Sequence, residues 1–140
     1  MKTYQVYFRG YRRDEFKDGL PSYSGIYCVY RCTYNPEASK VALKELIYIG
    51  QSTNIHDRIV NHEKRNIFLR HLQGDEQLCY TYAHVDDDDL DIVENALIFM
   101  QQPVINDDKK DDFNYDDIAF IIEGETALFK YTDFNITSKQ

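Results

Sequence analysis

The sequence predicts an α+β fold in which a small mixed or antiparallel sheet is flanked by helices. Three runs rich in β-branched and aromatic residues, at 25–32, 45–50 and 78–85, have the composition of strands. Apolar residues recur at helical spacing in residues 55–60 and 90–102. The length of 140 residues suits one domain, residues 1–140, which can bury a core without disulfides or metals.

An additional strand is predicted near the start of the chain, where residues 3–8 alternate weakly. Arg9, Arg12 and Arg13 follow it and are interleaved with glycine and tyrosine. Such a mixture suits contacts with a phosphate backbone and stacked bases. It suits equally well an edge strand that arginines protect from pairing with other chains. Both interpretations stay open at this stage.

An antiparallel hairpin with a rather long loop is predicted for the first two core strands, because the turn residues Asn, Pro and Ser lie between them in residues 34–40. Side chains alternate along a strand, so Tyr27 should face away from its two neighbours. Tyr48 should likewise face away from Ile47 and Ile49. The two phenols can therefore share one face of the hairpin.

A helix is predicted for residues 51–62, with Thr53 or Asn54 as its N-cap. Arg58 and His62 are four residues apart, which would make them neighbours one turn apart on this helix. Helical sequence continues beyond it toward residue 72.

The second long helix, at 90–102, follows the four aspartates 86–89. These carboxylates could form a metal loop, but N-cap and first-turn charges that complement the helix dipole explain them better. Glu94 lies beside the apolar stripe of this helix. A carboxylate there is costly unless it is paired, hydrogen-bonded or metal-bound, and a surface glutamate at the edge of the stripe is the alternative.

A C-terminal hairpin is predicted from residues 118–123 and 126–131, which flank a two-residue turn at Gly124 and Glu125. It would either add strands to the sheet or form a contact in a homodimer or with a protein partner. The sequence does not decide between these roles.

Charge is distributed unevenly along the chain. The net charge is −8, yet 12 of the 16 lysines and arginines lie in residues 1–70, where only 7 of the 24 acidic residues are found. A local positive face is therefore compatible with an acidic protein, as is a solvated surface without a partner. Three cysteines and a polar N-terminus predict a reducing cytoplasm. The longest apolar run has five residues, so no membrane span is expected.

The triplets Gly25-Ile26-Tyr27 and Tyr48-Ile49-Gly50, with the residues that follow them, resemble the GIY-YIG nuclease family, which is named for such triplets. The resemblance covers about residues 20–106. One departure is the connection between the triplets, which looks longer than the family's usual tight hairpin. The catalytic residues that the resemblance implies are Tyr27, Tyr48, Arg58, His62, Glu94 and Asn106.

The resemblance implies metal-dependent hydrolysis of phosphodiester bonds in DNA. Glu94 would hold one Mg²⁺ or Mn²⁺, and Tyr27 would act as general base or orient the attacking water, with Arg58 lowering its pKa or gripping the phosphate. Tyr48 would position the phosphate, and His62 would assist as base or proton shuttle.

Asn106 would orient Glu94 or the backbone. The residues expected to contact DNA cluster around the motif in sequence: Arg9, Arg12, Arg13, Lys64 and Arg65. Two other classes compete with a nuclease: a binding module of the same fold that is catalytically idle, and an interaction protein that acts through the acidic half.

Overall fold

A six-stranded mixed sheet forms the centre of the molecule in the computed structural model, which describes residues 1–137. The strands are β1 (Lys2–Arg13), β2 (Gly25–Asn35), β3 (Lys40–Ser52), β4 (Gln77–His84), β5 (Ile118–Gly124) and β6 (Asp133–Ile136). The helices are α1 (Ile55–Val60), α2 (Arg65–His71) and α3 (Leu90–Gln101), with 3-10 turns at Asp14–Gly19 and Asp87–Asp89. The strand order is β3-β2-β4-β1-β5-β6, so the predicted α+β class is confirmed.

Strand β1 changes its partner halfway along. Its first half, from Lys2 to Phe8, pairs in parallel with β5, and its second half, from Arg9 to Arg13, pairs antiparallel with β4. The predicted N-terminal strand is therefore confirmed and is longer than expected. The basic segment is part of this strand.

The predicted β2–β3 hairpin forms, but its strands pair as far as Asn35 and Lys40, so only residues 36–39 lie in the turn and the expectation of a long loop is wrong. The Asn35 side-chain oxygen accepts the backbone N–H groups of Glu37 and Ala38 and so closes the turn. Farther along, the pairing register slips by one residue at Ile47. This bulge interrupts the alternation, and Ile47 packs in the same cluster as Tyr48, so the expectation that they face opposite ways is wrong.

Both faces of the sheet are covered. Helix α3 packs on one face, where a cluster includes Ile26, Cys28, Val93 and Leu97. Helices α1 and α2 and the first 3-10 turn cover the other face, where Tyr27, Ile55, Phe68 and Tyr80 are buried together with Leu20. Tyr27 thus faces away from Ile26 and Cys28, as the alternation predicts.

Helix α1 is shorter than predicted. Asn54 is its N-cap, and its side-chain oxygen accepts the N–H of Asp57 at 3.0 Å. The helix ends at Val60 because the backbone of Asn61, at φ −122° and ψ 43°, has left the helical region. His62 therefore lies in the turn between α1 and α2, and the expectation that it shares a helix with Arg58 is wrong.

The aspartates before α3 do not cap it through their side chains. Asp89 is in the αR conformation instead of the extended one that a capping side chain needs. Its carboxylate instead accepts a hydrogen bond from the Tyr4 hydroxyl at 3.2 Å and lies 3.7 Å from the Lys2 ammonium. The N-cap prediction is therefore wrong, although the negative charges do precede the helix.

The C-terminal hairpin has a different second strand from the one predicted. Residues 126–131 form a loop, and β6 at Asp133–Ile136 pairs with β5. The buried side chain of Gln101 holds this loop, because its amide contacts backbone groups of Lys130 and Tyr131 at 2.5 to 3.1 Å. Across residues 1–137, no helix has the length and apolar character that crossing a membrane requires.

Candidate active site

The glycines of the two triplets allow strands and side chains to approach closely. A Cβ at Gly50 would lie 2.3 Å from the Tyr27 hydroxyl oxygen. A Cβ at Gly25 would lie 1.9 Å from the carbonyl oxygen of Ala83 on β4. Glycine at position 50 therefore makes room for the Tyr27 phenol, and glycine at position 25 allows β2 to pair with β4.

The hydrogen bonds of His62 define which of its nitrogens carries the proton. Its Nδ1 accepts the backbone N–H of Lys64 at 3.0 Å, so Nδ1 is unprotonated. The neutral ring then carries its proton on Nε2, which lies 2.7 Å from the Tyr27 hydroxyl oxygen. His62 consequently donates to the phenol oxygen, and the hydroxyl hydrogen of Tyr27 remains available for another acceptor.

An aromatic cluster surrounds this hydrogen bond. The ring centroid of Tyr48 lies 6.3 Å from that of Tyr27 and 5.6 Å from that of His62. Phe68 of α2 packs against His62 at 4.9 Å and against Tyr48 at 5.2 Å. Tyr27 is 1 % exposed and His62 8 %, whereas Tyr48 is only partly buried, so Tyr48 forms the accessible side of the cluster.

Arg58 projects from α1 toward these rings. Burial and the nearby Tyr48 raise the pKa of Tyr27 well above its usual range, and the guanidinium of Arg58 opposes that rise. Burial and the charge of Arg58 lower the pKa of His62 to about 4. At neutral pH the phenol is therefore protonated and the imidazole is uncharged. Arg58 itself forms an ion pair with the exposed Glu63 at 3.0 Å.

Glu94 provides the acidic side of the site. It is 6 % exposed on α3, and its Oε1 accepts a hydrogen bond from the Gln51 amide at 3.0 Å. The same amide nitrogen donates to Asp91 at 2.7 Å. The ammonium of Lys109 also contacts Oε1 of Glu94. Burial opposes the charge on Lys109, but the hydrogen bond and charge of Glu94 raise its pKa, so Lys109 is charged at neutral pH.

Tyr48 lies between the acidic and the basic parts of the site. Burial and then the charge of Glu94 raise its pKa, and the charge of Arg58 lowers it. Both charged groups therefore act on one phenol. Tyr48 is therefore the group of the site that both Glu94 of α3 and Arg58 of α1 influence.

Asn106 is buried and attached to β3. Its amide accepts the N–H of Ile49 at 3.0 Å and donates to the carbonyl of Ile49 at 2.9 Å. Ile105 also donates its N–H to the carbonyl of Ile47 at 2.9 Å. Of the two roles expected for Asn106, the geometry favours orienting the backbone, since its amide hydrogen bonds go to Ile49 and not to Glu94. Ile105 and Asn106 thus fix to β3 the start of the loop whose residue Lys109 contacts Glu94.

The donor set suits a hydrated Mg²⁺ or Mn²⁺ better than a protein-enclosed metal. Within residues 1–137, no group of three or more His, Cys, Asp or Glu side chains could hold an ion. Mg²⁺ characteristically binds through one or two carboxylates and keeps several waters. Glu94, which is 6 % exposed, supplies one carboxylate, which is the smallest number of protein ligands that this mode of binding requires.

The five basic residues expected to contact DNA differ in how they are used. Arg65 forms a bidentate pair with Asp14 at 2.7 and 2.8 Å. Arg13 lies 3.6 Å over the ring of Tyr34 and pairs with Glu15. Arg12 donates to the carbonyl of Phe16 at 3.3 Å, and both Arg12 and Arg13 line a cavity of about 370 Å³.

The remaining two residues of this set, Arg9 and Lys64, form no ion pair within residues 1–137. Arg9 is exposed and lies over the ring of Tyr7, 5.1 Å from its centroid. It is also in register with Tyr82 on β4, which is in register with Tyr27 on β2. Arg12, which contacts only a backbone carbonyl, likewise forms no ion pair in these residues, so Arg9, Arg12 and Lys64 are the members of the set without a carboxylate partner there.

Two residues of the site were not found from the sequence. Gln51 follows the second triplet directly, and its position at the end of a strand beside a helix could have suggested a polar contact. Lys109 lies in a charged loop, and nothing in its sequence surroundings distinguishes it from Lys110. Its contact with Glu94 depends on the path of the loop in three dimensions.

Comparison with known proteins yields no relative for this chain: no family model matches it, and neither a curated protein nor a solved structure is significantly similar to it.

Proposed function

We propose that this protein is a metal-dependent nuclease that hydrolyses phosphodiester bonds in DNA, of the GIY-YIG type that the two triplets resemble. The observation that supports it best is the position of Tyr48, which experiences the charges of both Glu94 and Arg58 and packs against the hydrogen-bonded pair of Tyr27 and His62. Groups that can bind a phosphate, move a proton and hold a cation thus surround one partly accessible phenol.

Hydrolysis of a phosphodiester requires an activated water and stabilisation of the negative charge that develops on phosphorus. Arg58 supplies a cation that can exchange its exposed partner Glu63 for a phosphate oxygen, because solvent screens a surface ion pair and leaves it weak. Tyr27 can use its free hydroxyl hydrogen to orient the water or the phosphate. To act as the base, Tyr27 would first give its own proton to solvent, and the Nε2–H of His62 and the charge of Arg58 would stabilise the phenolate that then takes a proton from the attacking water.

Glu94 is the residue that would hold the divalent cation. When bound, Mg²⁺ or Mn²⁺ would supply charge neutralisation for the phosphate and the leaving oxygen. Tyr48 would position the phosphate between Glu94 and Arg58, and Asn106 would keep β3 in place beneath it.

The path proposed for DNA follows a row of side chains across three strands. Tyr27, Tyr82 and Arg9 are register partners on β2, β4 and β1, and directly paired residues of antiparallel strands point to the same face. Two strand spacings place Arg9 about 10 Å from Tyr27. Arg9 on one side and Lys64 on the other would bind backbone phosphates that flank the cleaved bond. A reducing cytoplasm would suit the three buried free cysteines.

Glu94→Gln tests this function because it keeps the volume of the side chain and removes its charge. We expect Mg²⁺-dependent nicking of DNA to fall by about three orders of magnitude or more and DNA affinity to change little, while the melting temperature falls because Lys109 loses its charged partner. Glu123→Gln, which removes an exposed carboxylate from β5, is the matched control and should cleave normally. Retained cleavage in Glu94→Gln would overturn the mechanism.

A substrate panel of duplex, flap, branched and single-stranded DNA, each with Mg²⁺ and with Mn²⁺, defines what is cut. The competing function is a binding module that keeps the fold and is catalytically idle. Salt-sensitive DNA binding without metal-dependent nicking on any of these substrates would favour it.

A further inference from the structure

We propose that Lys109 is a tethered cation that competes with the divalent metal for Glu94, so that metal binding requires the Lys109 ammonium to leave the carboxylate. The inference rests on the proposed role of Glu94 as metal ligand. The Lys109 ammonium contacts Oε1 of Glu94, the oxygen that also accepts from Gln51. A metal ligand of the proposed site is thus already neutralised by a side chain of the same protein.

The loop that carries Lys109 is held in place by α3. The buried amide of Asn95, next to Glu94, donates to the carbonyl of Lys109 at 3.1 Å and to that of Asp112 at 3.1 Å. Gln102 donates to the carbonyl of Lys110 at 2.7 Å. Lys109 itself has φ +64°, a left-handed conformation that a residue with a side chain adopts only when its surroundings enforce it. The loop is therefore organised to present this ammonium to Glu94.

An ammonium and a divalent ion cannot share one carboxylate oxygen, because their charges repel at contact distance. The pair is only partly accessible, with 8 % of the Glu94 side chain and 36 % of the Lys109 side chain exposed, so solvent screens it incompletely. A ligand that binds only the fraction of molecules with a free site shows an affinity reduced by that fraction. Removing the charge of Lys109 should therefore strengthen metal binding by about tenfold or more.

This can be tested directly by measuring how tightly the full chain binds Mn²⁺ in the absence of nucleic acid. The electron paramagnetic resonance signal of the free ion reports how much Mn²⁺ remains unbound. Lys109→Met keeps a long side chain and removes the charge, and we expect its Kd for Mn²⁺ to fall by about tenfold or more. Lys109→Arg keeps the charge and should bind as weakly as the wild type. Lys110→Met is the matched control, since that ammonium contacts the carbonyl of Pro103 and no carboxylate.

The double variant Lys109→Met with Glu94→Gln tests whether any gain in Mn²⁺ affinity depends on Glu94. If it does, the gain should disappear in the double variant. An unchanged Kd in Lys109→Met, or a gain that persists in the double variant, would overturn the inference. Should Lys109→Met be less stable, its melting temperature should rise with added Mn²⁺ more than that of the wild type; an equal rise would count against competition.

These results separate the inference from the proposed function. Tighter Mn²⁺ binding in Lys109→Met without cleavage of any DNA would support the inference and refute the nuclease. Metal-dependent cleavage of DNA, together with an unchanged Kd for Mn²⁺ in Lys109→Met, would support the nuclease and refute the inference.

Discussion

Two arginine–tyrosine clusters lie on the same face of the sheet, and they differ in whether their charges are satisfied. In the first, which we call the closed cluster, Arg65 binds Asp14 through two hydrogen bonds, and the Tyr80 hydroxyl donates to the same carboxylate at 2.5 Å. In the second, the open cluster, Arg58 acts on Tyr27 and has one exposed carboxylate, Glu63, as its ion-pair partner.

The pKa shifts express the same difference. Although burial opposes it, Arg65 and Tyr80 hold the pKa of Asp14 below its ordinary value, and in the closed cluster the charge of Arg65 is satisfied by this half-buried carboxylate. The open cluster keeps a cation whose partner can be exchanged. Two sites built from the same residue types therefore differ in use: the closed one fixes the first 3-10 turn to the sheet, and the open one is the site that the proposed function assigns to a ligand.

The comparison is tested most strongly by removing each arginine. We expect Arg58→Ala to reduce cleavage by about three orders of magnitude, which corresponds to about 4 kcal/mol in the barrier, because a cation next to the reacting phosphate is lost. Its melting temperature should change little, since an exposed ion pair contributes little to stability.

Arg65→Ala should give the opposite pattern. It leaves Asp14 without its main partner, so the free energy of unfolding should fall by about 2 kcal/mol, while cleavage by the folded protein falls by less than tenfold. Denaturant unfolding and single-turnover cleavage measured on both variants check this. Similar losses of stability in the two variants would remove the distinction between the clusters.

The open cluster should also make stability depend on pH. The pKa of His62 is lowered from 6.5 to about 4, so between these values the unfolded chain binds more protons than the folded one. The free energy of unfolding should therefore fall as the pH is lowered from 6.5 to 4, by up to about 3 kcal/mol.

His62→Gln should flatten that dependence, and His84→Gln, on an exposed ring, is the control. Urea unfolding at a series of pH values measures the slope. A slope unchanged in His62→Gln would show that another group titrates in this range.

The smallest effect expected concerns DNA binding by Arg9 and Arg13. Arg9→Ala should reduce the slope of log affinity against log salt by about one, because no carboxylate of residues 1–137 forms an ion pair with Arg9. Arg13, stacked on Tyr34 and paired with Glu15, should change the slope less. Affinity measured from low to moderate salt distinguishes them, and a larger change in Arg13→Ala would contradict the assignment of free and satisfied cations.

Local patterns in the sequence predicted much of the fold. The composition of the strands, the cap at Asn54 and the face taken by Tyr27 all follow from neighbouring residues and are confirmed. The predictions failed where a distant group decides the local conformation. The C-terminal loop follows the amide of Gln101 instead of forming a strand, and the bulge at Ile47 changes the face of one residue.

The residues of the candidate site can be divided in the same way, into those that local sequence reveals and those whose position depends on distant groups. The triplets and Arg58 are visible in the sequence, whereas the place of His62 depends on one non-helical residue, Asn61. The contact between Lys109 and Glu94 depends on how Asn95 and Asn106 fix a loop that has no repeating pattern. The spacing of apolar residues along the sequence carries no information about the path of such a loop.

The divided pairing of β1 has a consequence for the order in which the protein forms. Lys2 is in register with Ile118, and Phe8 with Gly124, so the first half of β1 completes these hydrogen bonds only with a strand that lies 116 residues later in the sequence. Closing so long a loop is slow and entropically costly. The second half of β1 can meanwhile pair with β4, as Arg9 does with Tyr82, so the framework around Tyr27 can assemble before the C-terminal strands arrive.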